Sequence, residues 1–75
     1  MKFSAIAMRH WRESKGISLG EVSKSLRQSV QVIINYETGM LVPNSKTICR
    51  IASILDVSIV ALTDVAVRFK FINLD

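Results

Sequence analysis

The chain has 75 residues and a mass of 8.4 kDa, which is room for one small domain rather than two and leaves no conventional enzyme cleft. Ten Lys and Arg against six Asp and Glu give a net charge of +4 and a pI near 9.7, a balance that favours a polyanionic ligand. A single Cys49 excludes an internal disulfide, and one Cys with one His cannot form a tetrahedral zinc shell without acidic ligands or a second chain.

Helical signals run through the first sixty residues. The opening segment up to Lys15 is expected to be one helix, with Phe3, Ala7, Met8 and Trp11 at helical spacing and Gly16 as the stop. Ser18 is suited to cap a second helix, and Glu21 three residues on completes a capping box, so a short helix from Leu19 to about Leu26 should turn Leu19, Val22 and Leu26 inward. Ser29 offers the next cap, and Ile33 with Tyr36 gives the inner side of a third helix ending near Glu37 and Gly39. After Pro43, either Asn44 or Ser45 caps a fourth helix in which Ile48, Ile51, Ala52 and Leu55 recur at i, i+3, i+4 and i+7. Asp56 closes it, and Ser58 caps a one- to two-turn fifth helix through Ile59 and Leu62. From Val65 the period changes to two: Val65, Val67, Phe69 and Phe71 alternate with Ala66, Arg68 and Lys70, which reads as a strand, with continuation of the fifth helix as the rival. A lone strand in a helical chain is an open edge, and its natural partner is a second copy of itself.

The charge is unevenly spread. Residues 1–15 set Lys2, Arg9, Arg12 and Lys15 against Glu13; residues 51–75 set Arg68 and Lys70 against Asp56, Asp64 and Asp75. The basic side of the molecule therefore belongs to the first two thirds of the chain. Apolar residues make up 49% and the mean hydropathy is +0.33, rich for so small a unit, and some of that surface is expected to meet a partner. No run reaches the ~18 apolar residues of a membrane span, and Phe3 to Met8 is too short for a signal core. A cytoplasmic chain with no membrane association is expected. His10 reads as exposed surface, and Cys49 as a partly buried small apolar residue.

Two short helices joined by about four residues and followed by a longer amphipathic one form a helix-turn-helix arrangement. The runs RESKGISLGEVSKSLRQSVQVIINYETG and PNSKTICRIASILDVSIVAL resemble the Cro/repressor-type (XRE-like) helix-turn-helix family across roughly residues 6 to 62. The resemblance implies an all-α, five-helix repressor-like domain over residues 1–63, to which the reading of the last segment adds a C-terminal β-strand extension for dimerisation over residues 64–75. It also implies a small side chain, Ser23, where the second and third helices cross, and a structural salt bridge between Arg12 and Glu37.

In this family the third helix enters the major groove, which would direct Ser29, Val30, Gln31, Ile34 and Asn35 toward base edges. The carboxamides of Gln31 and Asn35 match the N6 and N7 edge of adenine, and Val30 and Ile34 can meet a thymine methyl; Ile34 could equally pack against a neighbouring element or partner. The unpartnered amides and positive dipole at the start of the second helix make Ser18 and the Leu19 amide an anion site, and the resemblance assigns phosphate contacts to Thr38, Asn44 and Lys46, although Thr38 and Asn44 serve equally well as turn and cap residues. Three positions depart from the family pattern. Leu19 replaces a Gln that can reach a phosphate, Arg27 replaces a left-handed Gly, and Val30, Val32, Ile33 and Ile34 make an apolar recognition helix.

The expected function is that of a sequence-specific DNA-binding transcriptional regulator, a homodimeric repressor on a palindromic double-stranded operator, with no catalysis, no cofactor and no metal. Val67, Phe69 and Phe71 are the expected dimerisation residues. The alternative is an antitoxin or adaptor whose main role is to bind another protein, such as a toxin or a second regulator.

Overall fold

Short polar side chains start five of the elements. Ser4, Ser18, Ser29, Asn44 and Ser58 each have extended backbone and accept the amide N–H three residues on, from Ala7, Glu21, Val32, Thr47 and Ala61. Each cap satisfies a donor that the helix itself cannot, which is why these residue types recur at the boundaries. The structure, a computed structural model, describes residues 2–68. Its elements are α1 (Ala5–Ser14), α2 (Leu19–Leu26), α3 (Val30–Thr38), α4 (Ser45–Leu55), a single 3₁₀ turn (Ile59–Leu62) and α5 (Asp64–Arg68).

Three of the helices end in the left-handed region. Gly39 does so after α3 without steric cost, whereas Arg27 (φ 58°) after α2 and Asp56 (φ 56°) after α4 carry a Cβ there. The Arg27 turn is the link between α2 and α3, and Arg27 adopts there the left-handed conformation of the Gly that it replaces in the family pattern.

The core is one cluster. Ala7, Met8 and Trp11 of α1, Val22 and Leu26 of α2, Ile33 and Tyr36 of α3, and Ile51, Ala52 and Leu55 of α4 close around Ala61 and Leu62 of the 3₁₀ turn. Trp11 is buried as expected, and its indole N–H donates to the Ala61 carbonyl at 3.1 Å, so the largest core side chain keeps its polar atom satisfied. Its ring lies edge-on to that of His10, 4.9 Å between centroids; His10, expected as exposed surface, is half-buried. Cys49 departs in the other direction and is exposed.

Both ends of the described chain differ from the sequence expectation. The first helix begins at Ala5, not at the start of the chain, because Ser4 caps it; Phe3 instead forms an antiparallel bridge with Thr63, and the Asp64 amide donates to the Lys2 carbonyl at 2.8 Å. At the other end, Val65 to Arg68 form helix α5 and not the start of a strand. Ala66 is fully buried, four residues beyond the buried Leu62, and that helical spacing outweighs the alternation of Val65 and Val67. Val67 packs half-buried against the same core. The remainder of the expected strand, with Phe69 and Phe71, lies outside the described residues.

Candidate nucleic-acid interface

α2, its turn and α3 are held as one unit by local bonds. At the start of α2 the Ser18 hydroxyl accepts from the Glu21 amide at 3.1 Å, and the Glu21 carboxylate accepts from the Ser18 amide at 3.0 Å. The bond from Ser18 holds the Glu21 carboxyl below its ordinary pKa. At the turn the Gln28 amide donates to the Ser23 carbonyl at 3.1 Å while the Ser23 hydroxyl donates to the Gln28 carbonyl. Ser23 thus contributes a bond as well as small size. From outside the pair, the Arg50 guanidinium of α4 donates to the Ser25 carbonyl at 3.3 Å.

α3 divides cleanly by side. Ile33, Tyr36 and Glu37 face the interior, while Val30, Gln31 and Thr38 are exposed, and Ile34 and Asn35 are half-buried on that same outer side. Spacings of three, four and seven along the helix bring these five into one stripe, with exposed Ser29 at its leading end. Within it, the Gln31 amide donates to the Asn35 side-chain oxygen at 3.0 Å. Thr38 donates to the Asn35 backbone carbonyl at 3.4 Å, and the Leu41 amide donates to the same carbonyl at 3.1 Å.

Of the residues assigned to phosphate, Thr38 belongs to this stripe, Leu19 shares a hollow with Ile34, Ser18 caps α2, and Asn44 and Lys46 stand at the start of α4. The Glu21 and Val22 amides are taken by Ser18, which leaves the Leu19 and Gly20 amides without a protein acceptor among the described residues, at the positive end of the α2 dipole. Leu19 itself is half-buried. Asn44 accepts from the Thr47 amide at 2.9 Å, so its oxygen caps α4 while its NH2 group stays available. The Ser18 and Ser29 hydroxyls likewise accept as caps and retain a proton to donate. Lys46 is exposed in the first turn of α4.

Arg12 and Glu37 join this surface to α1. The guanidinium reaches the carboxylate through Nε at 2.6 Å and Nη2 at 3.1 Å, and its Nη1 donates to the Ile17 carbonyl at 2.9 Å. The bond to Glu37 raises the already high Arg12 pKa, outweighing the opposing effect of burial. No buried side-chain nitrogen or oxygen lacks a partner among the described residues, so the buried carboxylate is fully compensated.

Sequence reasoning passed over one feature here. Arg9, Arg12, Leu19, Ile34, Glu37 and Thr38 line an open hollow between α1, the start of α2 and the outer side of α3. Arg9 lies one turn before Arg12 and pairs with Glu13 at 3.4 Å. Spacing of Arg9 and Arg12 on one helix was visible in the sequence, but their meeting with Leu19 and Ile34 depends on how the helices cross. Ile34 shares the lining of this hollow with Leu19 and is half-buried.

A helix-turn-helix family model matches residues 8–62, from α1 to the end of the 3₁₀ turn. No curated protein and no solved structure matches the chain. No helix among the described residues is long and apolar enough to cross a membrane.

Proposed function

The chain belongs to the Cro/repressor-type helix-turn-helix family of DNA-binding domains, and from that premise we propose that it is a transcriptional repressor that binds a palindromic operator as a homodimer. The observation that carries this reading is α3. A nine-residue helix anchored inward by Ile33, Tyr36 and Glu37 offers Val30, Gln31, Ile34 and Asn35 on its outer side, at the width a major groove admits. Ser29 and these four form the face turned toward base edges. Ser18, the Leu19 amide, Thr38, Asn44 and Lys46 hold the backbone of the duplex, which fixes register without reading sequence. Ser18, the Leu19 amide, Asn44 and Lys46 each keep a donor after their structural bonds are counted, whereas the Thr38 hydroxyl must release the Asn35 carbonyl to reach a phosphate. The Glu21 charge at the start of α2 opposes an anion there.

Dimerisation is assigned to residues 64–75, with Phe69 and Phe71 as its apolar contribution and Val67 shared with the core. A single copy has too few contacts for specificity, and two-fold symmetry matches an inverted repeat. The chain acts in the cytoplasm and needs no cofactor in this reading.

A second reading, an antitoxin or adaptor that binds another protein, is favoured by one observation. Met40 and Val42 in the loop after α3 are 79% and 70% exposed, with Leu41 between them partly so. Such a run is more apolar than a phosphate-facing loop requires.

Selection of bound duplexes from a random pool tests the proposal. The expected product is an inverted repeat with half-sites about 34 Å apart, bound by two chains. Recovery of no enriched sequence, or of a complex with one chain per site, overturns it.

A further inference from the structure

The hydrogen bond between Gln31 and Asn35 alters what each amide can read. We propose that the two act as one reader: Gln31 contacts the base, and Asn35 is a positioning residue that fixes which way the Gln31 amide points. The inference rests on α3 lying in the major groove.

Three observations carry it. Asn35 is the less exposed partner, half-buried, and its backbone is fixed by bonds from the Leu41 amide at 3.1 Å and the Thr38 hydroxyl at 3.4 Å to its main-chain carbonyl. Gln31 is exposed and lies one turn nearer the leading end of α3, where base edges are met. Helical side chains lean toward the N-terminus, so Asn35 reaches back over the turn that carries Gln31. The remaining side chains of the outer stripe nearest to them, Val30 and Ile34, are apolar and offer Gln31 no competing acceptor.

The donor and acceptor inventory follows directly. Gln31 Nε2 donates to Asn35 Oδ1, which leaves Gln31 with Oε1 as an acceptor beside one N–H. That pair complements the N6 donor and N7 acceptor of adenine. Asn35 keeps the two N–H donors of Nδ2, but one of the two lone pairs of its oxygen is engaged by Gln31, which ties its amide to Gln31 and makes it the poorer match for adenine. A free Gln31 amide can turn over about its last torsion and exchange oxygen for nitrogen. The bond to Asn35 removes that exchange.

The experiment repeats duplex selection with Gln31→Ala, Asn35→Ala, the double variant and Asn35→Asp, with melting curves to check that each is folded. The positions replaced are on the outer side of α3, so all four are expected to fold. Gln31→Ala should lose the preference for one base pair by roughly fivefold to a hundredfold. Asn35→Ala should relax that same base pair, and the double variant should lose no more than Gln31→Ala alone. Asn35→Asp keeps the acceptor and discards the donors; it should restore the preference while lowering affinity for all sequences through phosphate repulsion. In the free protein, the Gln31 side-chain amide proton signals should shift in Asn35→Ala and stay near their original position in Asn35→Asp.

Relaxation at a second base pair, with additive losses, makes Asn35 an independent reader and overturns the proposal. So does an Asn35→Asp variant that loses the preference, or a free protein whose Gln31 signals ignore Asn35. If the parent chain itself selects no sequence, the operator-binding function falls first and this inference with it.

Discussion

Arg12 and Glu37 meet through two bonds, Nε to Oε2 at 2.6 Å and Nη2 to Oε1 at 3.1 Å, with 12% and 5% of their side-chain surfaces exposed. The same guanidinium holds the Ile17 carbonyl, so one side chain ties α1 to the segment before α2 and to the end of α3. The orientation of the outer side of α3 relative to the start of α2 depends on this junction.

Removing either partner leaves a buried charge without compensation. Glu37→Ala and Arg12→Ala are each expected to cost about 3–5 kcal/mol in a urea titration. A chain of this size has a total stability of only about 4–11 kcal/mol, so either variant should be marginally folded. Arg12→Leu combined with Glu37→Leu should recover most of the loss, since both charges go together. Single variants that cost under about 1 kcal/mol would place the pair among ordinary surface bridges.

The left-handed Arg27 is a local cost at the turn between α2 and α3. Arg27→Gly relieves about 1 kcal/mol of steric strain, offset in part by the freedom glycine adds to the unfolded chain. A net gain of about 0.5 kcal/mol is expected, seen as a melting temperature higher by roughly 2–4 °C. Asp56→Gly serves as the internal control. Asp56 has nearly the same φ, but aspartate tolerates that region better, so its gain should be smaller.

The capping box at Ser18 and Glu21 gives the protein an acid-sensitive element. The folded-state pKa of Glu21 is lowered by the bond from the Ser18 amide, and that of Asp64 by the bond from the Lys2 amide. A carboxyl with a depressed folded pKa stabilises fully above its unfolded value, and the contribution is lost as pH falls from about 4 through the folded pKa. Ser18→Ala removes the cap for about 1 kcal/mol at neutral pH. The substitution keeps the backbone N–H of position 18 that bonds Glu21, so the gap between parent and variant should narrow below about pH 4 only by the share of the Glu21 shift that the Ser18 hydroxyl causes. A gap independent of pH would assign the loss to the hydroxyl alone.

Much of this fold was legible because its boundaries are local. Ser18 with Glu21, Ser29, and Asn44 each need only a residue three positions on, and the fourth helix declares its inner side through Ile51, Ala52 and Leu55. The ends were less so. Phe3 shares helical spacing with Ala7 yet bridges to Thr63, a partner sixty residues away that no local pattern can reveal. Val65 and Val67 favour extended backbone by their branching, but the buried Ala66 decides the segment through its packing under α1 and the 3₁₀ turn. At the interface, the identity of the outward residues followed from helical phase. The bond between Gln31 and Asn35 was open to the i, i+4 rule, whereas the hollow that joins Arg9 to Leu19 and Ile34 required the helix crossings themselves.

The assignment of dimerisation to the C-terminal residues is tested by Phe69→Asp. A buried apolar pairing surface does not accept a charge, so the variant should sediment as a monomer and bind operator weakly. Among the described residues the core cluster already joins all four long helices and the 3₁₀ turn, and the monomer should therefore keep its helical circular dichroism. A variant that remains dimeric moves the interface elsewhere, and the exposed Met40 to Val42 loop is then the first place to look.

Salt dependence separates a polyanion-binding surface from an apolar docking loop. Each phosphate neutralised by a lysine releases counterions, so the logarithm of the affinity falls linearly with the logarithm of salt, by about 0.9 per contact. Lys46 stands exposed in the first turn of α4, and it forms no ion pair among the described residues. Its whole charge is therefore available to the duplex. Lys46→Gln should make that slope shallower by about 0.9 and weaken binding to all sequences alike, leaving base preference intact. A parent chain whose affinity barely responds to salt points instead to a protein partner at Met40 to Val42, because burial of apolar surface carries no counterion release.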